Sequence, residues 1–314
     1  MAFNQTTAEL IAQQYTNLMM PVIQQADSRT APSTEFKTGL TVRDVQILDY
    51  MGKVTLREPI TDLTSIRETV VDSVTAESRW LPAPHLVEHC IRKSAQFDLL
   101  TLVNQDSSVR QAQAMAYKRH MDKEFIRAAL GPAITNISLK AENPGVTPAG
   151  IISPYSFVTL PEANIITVEA GTTVTAAIDE ALAKFDALDV DTAMYPVYAY
   201  IPSKAKALLF EDARYDNWNN MGGQVLADGN LTPYRSVQFV RLSDVDVFAQ
   251  VAEATDKIFL VAGKAICTGI WSDFKTEISV LPEHSYAQQI YTSMSMASTR
   301  LDEQRVIVLD IAAL

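Results

Sequence analysis

The stretch 40–82 alternates Val, Ile, Thr and Leu with charged and polar residues, as in Val54-Thr55-Leu56-Arg57 and Thr69-Val70-Val71-Asp72-Ser73-Val74. No other feature constrains the fold as much. The pattern predicts a long antiparallel excursion with turn material at Glu58-Pro59 and Thr61-Asp62. Half-apolar strands need a covered face, and an isolated two-stranded ribbon is marginal in water. The ribbon has no means of covering itself, so something outside it must. The rest of the chain has material for a core: 314 residues, 47% hydrophobic and 20% charged, is ordinary globular usage. At ~150 residues per domain this length suggests about two domains.

Before the ribbon, residues 1–39 read as an arm. Helical spacing at Leu10, Gln14 and Leu18 is broken by Pro21, and a polar, turn-rich tether with little core of its own follows. After the ribbon, the clearest helix is predicted over 109–130. Ala114, Tyr117, Met121, Phe125 and Ala128 form one apolar stripe, Ser107 or Ser108 caps the start, and Gly131-Pro132 stops it. Lys118, Arg119, Asp122 and Lys123 are expected on its solvated face.

Residues 143–161, punctuated by prolines and glycine, form a connector and a candidate domain boundary. A second amphipathic helix is predicted from Val174 through Leu188, then a strand at 197–201 of central-strand composition. Ser203 is expected to cap a short helix through Phe210, and strands to follow at 237–242 and 258–262. This order predicts a mixed sheet flanked by helices in an α+β chain. Strands are also predicted at 277–281 and 305–311. The segment 286–300 stays open: Tyr286, Ile290, Met294 and Ala297 fit a helix, while its Tyr, Thr and Ser content suits a strand.

The balance of 26 Lys+Arg against 37 Asp+Glu, a net charge of −11, argues against a protein that works by gripping phosphates through a basic face. Cys90 and Cys267 are far apart and outside any CxxC pairing, as expected of a reduced, cytosolic chain. The longest uncharged run carries four prolines, so no membrane span is expected.

One motif suggests catalysis. His85-Leu86-Val87-Glu88-His89 matches H-x-x-E-H, in which two imidazoles on a helix would hold zinc and Glu88 would act as general base. Pro82 and Pro84 favour extended backbone here instead, and a strand would hold the two histidines ~13 Å apart. No phosphate-binding loop, dinucleotide fingerprint or nucleophile elbow occurs, and neither a cofactor nor a metal site is expected.

Four stretches, in order, resemble the major capsid proteins of tailed bacteriophages, which share the HK97 fold. They are Ser78-Arg79-Trp80-Leu81-Pro82 through Phe97-Asp98-Leu99-Leu100; Asn104-Gln105-Asp106-Ser107-Ser108 with Ala116 through Asp122 and Ala129-Leu130-Gly131; Phe185 through Asp191 with Tyr198-Ala199-Tyr200-Ile201-Pro202; and Ser285 through Tyr291 with Thr299 through Glu303 and Arg305-Val306-Ile307-Val308. The resemblance covers roughly residues 40 to 314, less similar around the connector. His120 departs from it, since a small residue is more usual there.

The resemblance implies an N-terminal arm (1–39), an extended loop (40–82), a peripheral domain built on a spine helix (83–160, completed by return strands at 276–314) and an axial domain (161–275). It also implies strands at 85–89 and 286–300. The function implied is a non-catalytic shell protein, made in the host cytoplasm, whose hexamers and pentamers form an icosahedral head around DNA. Portal, scaffolding and head-decoration proteins would be its further partners. Arg57, Glu58 and Arg79, on or beside the ribbon, are expected at intersubunit ion pairs. The alternatives are an encapsulin-type compartment with an enzyme cargo and, in another class, a zinc peptidase.

Overall fold

The computed structural model describes residues 25, 27–43, 45–51, 76–93, 102–137, 145–146, 152–153, 155–212, 231–284 and 287–314. Its strands are β1 (Thr34–Thr38), β2 (Gln46–Met51), β3 (Ala76–Trp80), β4 (His85–Lys93), β5 (Ala133–Ile137), β6 (Gly145–Val146), β7 (Ile152–Ser153), β8 (Tyr155–Val158), β9 (Ile165–Thr167), β10 (Val197–Ile201), β11 (Val237–Arg241), β12 (Lys257–Ala262), β13 (Ile266–Leu281), β14 (Ala287–Arg300) and β15 (Val306–Asp310). The helices are α1 (Leu102–Leu130), α2 (Val174–Ala187) and α3 (Ser203–Glu211).

Two larger sheets share the long helix. In the first, ordered β1-β13-β14-β4, the hairpin β13/β14 is the backbone, β4 pairs antiparallel with β14, and β1 adds in parallel to β13. The open segment 286–300 is therefore strand over Ala287–Arg300. Helix α1 lies across this sheet, with Tyr117 and Met121 packed on Ile270, Met294 and Met296. The tether is also more than a leash, because β1 is a sheet strand and Ser33 and Thr34 are buried.

The second sheet, ordered β11-β10-β12-β15-β9, is covered on both faces. Val197, Ala199, Ile201, Ile258, Leu260, Ile307 and Leu309 pack towards α2 and α3, against Ile178, Ala181 and Phe185. The alternate residues Tyr200, Phe259, Val261, Val306 and Val308 pack towards the C-terminal half of α1, against Phe125, Ile126 and Ala129. Burial on two sides is why these strands read as continuous apolar runs.

A third sheet, β2-β3-β5-β8, holds the root of the ribbon: β2 and β3 pair antiparallel, and β3 pairs with β5 just beyond α1. The turn material at 58–62 lies outside the described residues.

Three expectations are corrected. Helix α1 begins at Leu102, so Ser107 and Ser108 lie inside it, about one and a half turns past its start. Ser203 does not cap α3. The cap position is Pro202, and Asp244 accepts from the Ser203 backbone N at 2.9 Å and from its hydroxyl, a carboxylate at the positive helix end supplied from 41 residues away. The terminal strand β15 does not join the sheet of β13 and β14. It runs between β12 and β9, where its two apolar faces meet both cores, while the strand after β12 already belongs to the first sheet from Ile266.

Candidate functional site

The described parts hold three junctions where segments leaving the body are tied down, and an open edge that carries the sequence's one catalytic-looking motif. At the first junction the arm meets the spine. Asp122 of α1 is wholly buried and accepts from five neutral donors. Its Oδ1 takes the Ser28 hydroxyl at 2.6 Å, the Thr30 hydroxyl at 2.9 Å and the Thr30 backbone N at 3.2 Å. Its Oδ2 takes the Arg29 backbone N at 3.2 Å and the Gln25 side-chain amide. The expectation that Asp122 belongs to a solvated face is overturned, since the arm itself covers that face. Next to it Ser33 hydrogen-bonds the Tyr200 hydroxyl, whose ring packs edge-on to Phe125 at 5.0 Å. Burial pushes the Tyr200 phenol well above its ordinary value, so it stays a neutral partner.

The second junction is the root of the ribbon. Arg79 of β3, expected at an intersubunit ion pair, is turned inward with 3% of its surface exposed. Its Nη2 lies 2.5 Å from Glu303 Oε2 and its Nε donates to Leu301 O at 3.1 Å. Glu303 also lies 3.5 Å from Nε of Arg300. Arg300 is wholly enclosed and donates to Ala129 O at 2.8 Å, Gly131 O at 3.0 Å and Val158 O at 3.2 Å. These are carbonyls that the end of α1 and strand β8 leave for it. Through Glu303, the two guanidiniums tie the ribbon root, the end of the spine, β8 and the end of β14 together within one chain. Arg57 and Glu58 lie outside the described residues.

The third junction is a close approach. Gly269 of β13 sits where an added Cβ would come within 2.4 Å of Leu81 Cδ1 and 2.8 Å of Leu40 Cδ1, the two ends of the ribbon. Only a glycine lets both ends pack onto the sheet at that point.

The open edge is β4, which carries the histidine motif. As the prolines imply, His85–Lys93 is strand. Successive side chains of a strand alternate in direction. His89 Nδ1 lies 3.0 Å from the Gln113 amide of α1, whereas Glu88 accepts from the Tyr291 hydroxyl at 2.8 Å on the other face. Histidine and glutamate therefore point apart, and the arrangement of a zinc peptidase does not form. Among the described residues no group of three or more His, Cys, Asp or Glu side chains converges as metal ligands. Opposite His85, the half-buried His120 lies 3.7 Å from Glu124, and burial holds its imidazole below the ordinary value.

Sequence reasoning missed Asp122, Arg300 and Glu303. The only local signal was their chemistry: a charged residue beside the apolar stripe of a helix, and two at the end of a strand.

Comparison with known proteins places this geometry. The family model described as phage capsid protein matches residues 7–312. Curated proteins give no match. Among solved structures, the chain is similar to the mature capsid of bacteriophage PhiM1, with a TM-score of 0.67 at 9% identity over 94% of this chain and 90% of that one. It is also similar to the capsid of cyanophage P-SCSP1u, with a TM-score of 0.64 at 14% identity over 95% and 92%. A third likeness is to the capsid of Ralstonia phage GP4, with a TM-score of 0.63 at 10% identity over 93% and 92%.

Proposed function

Because the chain belongs to the phage capsid protein family and is a structural, non-catalytic component of a virion shell of the HK97 type, we propose that its copies close as hexamers and pentamers into an icosahedral head around double-stranded DNA. The observation that carries this reading is the family match across nearly the whole chain, supported by one fold shared end to end with several capsid proteins. Residues 1–39 act as the arm and 40–82 as the extended loop. The spine helix with the first sheet acts as the peripheral part, and the second sheet as the axial part. Assembly takes place in the host cytoplasm, with portal, scaffolding and decoration proteins as partners. Arg57 and Glu58 pair with neighbouring subunits.

The physics is that of coupled ordering. Ring contacts between copies are heterologous and must close. Each buries ~1,000 Å² or more, and repetition makes the shell stable by mass action and multivalency. A net charge of −11 suits a wall that encloses DNA without holding it.

Expression of the chain followed by negative-stain microscopy tests the reading. Closed, angular particles of uniform size are expected, and in infected cells these contain DNA. Particles holding a folded enzyme would favour a compartment shell instead. A chain that stays monomeric at every concentration would refute assembly.

A further inference from the structure

A groove of about 460 Å³ opens where the arm, the spine and the loop after β11 meet, beside the first junction, with which it shares Gln25 and Arg29. Gln25 and Arg29 come from the arm, Arg119 from α1, and Arg241 with residues 242–246 from the end of β11 and the following loop. Two carboxylates line it and both are committed: Asp244 to the start of α3, and Asp246 to Arg119 at 3.4 Å. The cations are less balanced. Arg29 is exposed and spends one N–H on the Arg241 carbonyl at 2.6 Å. The Arg241 guanidinium is exposed and meets no partner among the described residues. On the same wall the Gln25 side-chain oxygen is a buried acceptor without a donor. Val245, 73% exposed, forms the lip.

We propose that this groove is a docking site for an acidic segment of a second copy of the chain, gripped by Arg241 and Arg29. The choice of occupant follows from charge. Each copy carries 37 acidic residues against 26 basic ones, so two copies repel unless cations left uncommitted within the chain meet carboxylates across the contact. Gln25 Oε1 suits a backbone N–H of the same segment, since an orphaned buried acceptor is costly. The arm builds one wall, so the groove is complete only when Asp122 holds the arm. Arm docking and subunit docking are thereby linked. The inference rests on the capsid reading and adds to it a contact and the chemistry of its partner.

Two measurements test it. Arg241→Glu is expected to keep the melting temperature of the free chain, since Arg241 is exposed, and to lower particle yield at low salt by roughly tenfold. Arg241→Lys keeps the charge and stays near the native yield. A photo-crosslinker placed at Val245 in assembled particles is expected to capture a peptide of another copy that contains Asp or Glu. Native yield from Arg241→Glu overturns the groove while leaving the shell reading intact, and so does crosslinking confined to the same chain or to nucleic acid. Absence of particles from the unaltered chain overturns the shell reading and this inference with it.

Discussion

The second sheet and the first sheet solve the burial problem differently. The second is enclosed by its own chain: helices α2 and α3 cover one face and α1 the other, and its strands carry large side chains such as Tyr200, Phe259 and Val308 with no exposure. Among the described residues, the first is covered by α1 on one face and by Leu40 and Leu81 at Gly269 on the other. It has β4 at one edge with Leu86 63% exposed, and it holds β1 of the arm at its other edge. On the proposed reading, the enclosed region is stable by itself and the other is finished by neighbouring copies. A protein made to build walls needs both, a rigid block and projections that gain cover on contact.

The comparison can be tested by substitution. The largest effect belongs to the self-contained region. Phe259→Ala, which empties a fully buried ring stacked on Phe248, is expected to destabilise the free chain by about 3–5 kcal/mol, measured by urea unfolding. Next is the arm clamp. Asp122→Ala leaves several buried donors unmet and is expected to cost at least about 3 kcal/mol. Because the loss is local to the arm, tryptic cleavage after Arg29 should accelerate well before the second sheet unfolds. Equal effects on both regions would erase the distinction between them. Gly269→Ala forces Leu81 and Leu40 off the sheet and is expected to cost about 1–3 kcal/mol, weakening the ribbon root in particular.

The smallest effect depends on pH. Burial holds the His120 imidazole below its ordinary value in the folded chain, so the unfolded chain binds the proton more readily. Stability is then whole above ~6.5, the unfolded value, and falls as pH drops from there towards the folded one. His120→Gln should flatten this loss between pH 7.5 and 5.5, read as the change in urea midpoint. The charges that face it are His85 on β4 and Glu124, Lys123 and Arg127 on α1; an unchanged profile in the variant would contradict His120 as the source of the slope.

Legibility in the sequence follows the same division. The stripe of α1 and the strands of the second sheet were readable because local periodicity records which faces are covered by the chain itself. The extended state of His85–Lys93 was readable from two prolines. The direction of Arg79 was not, because its partner Glu303 lies 224 residues away. Nor was Asp122, whose cover is an arm that passes over the helix 92 to 97 residues earlier in sequence. The sheet membership of β15 was hidden for a related reason: an apolar five-residue run fits either sheet, and only the crossover from β14 decides. Charged residues near apolar stripes are thus ambiguous from sequence, whether solvated or clamped.

Hydrogen exchange over residues 40–82, compared between the free chain and purified particles, tests the central claim most directly. The account predicts that protection there rises by orders of magnitude on closure, while the second sheet, at 197–201 and 257–262, is already protected in the free chain and changes little. Full protection of 40–82 in a lone protomer, or no gain on assembly, would contradict it.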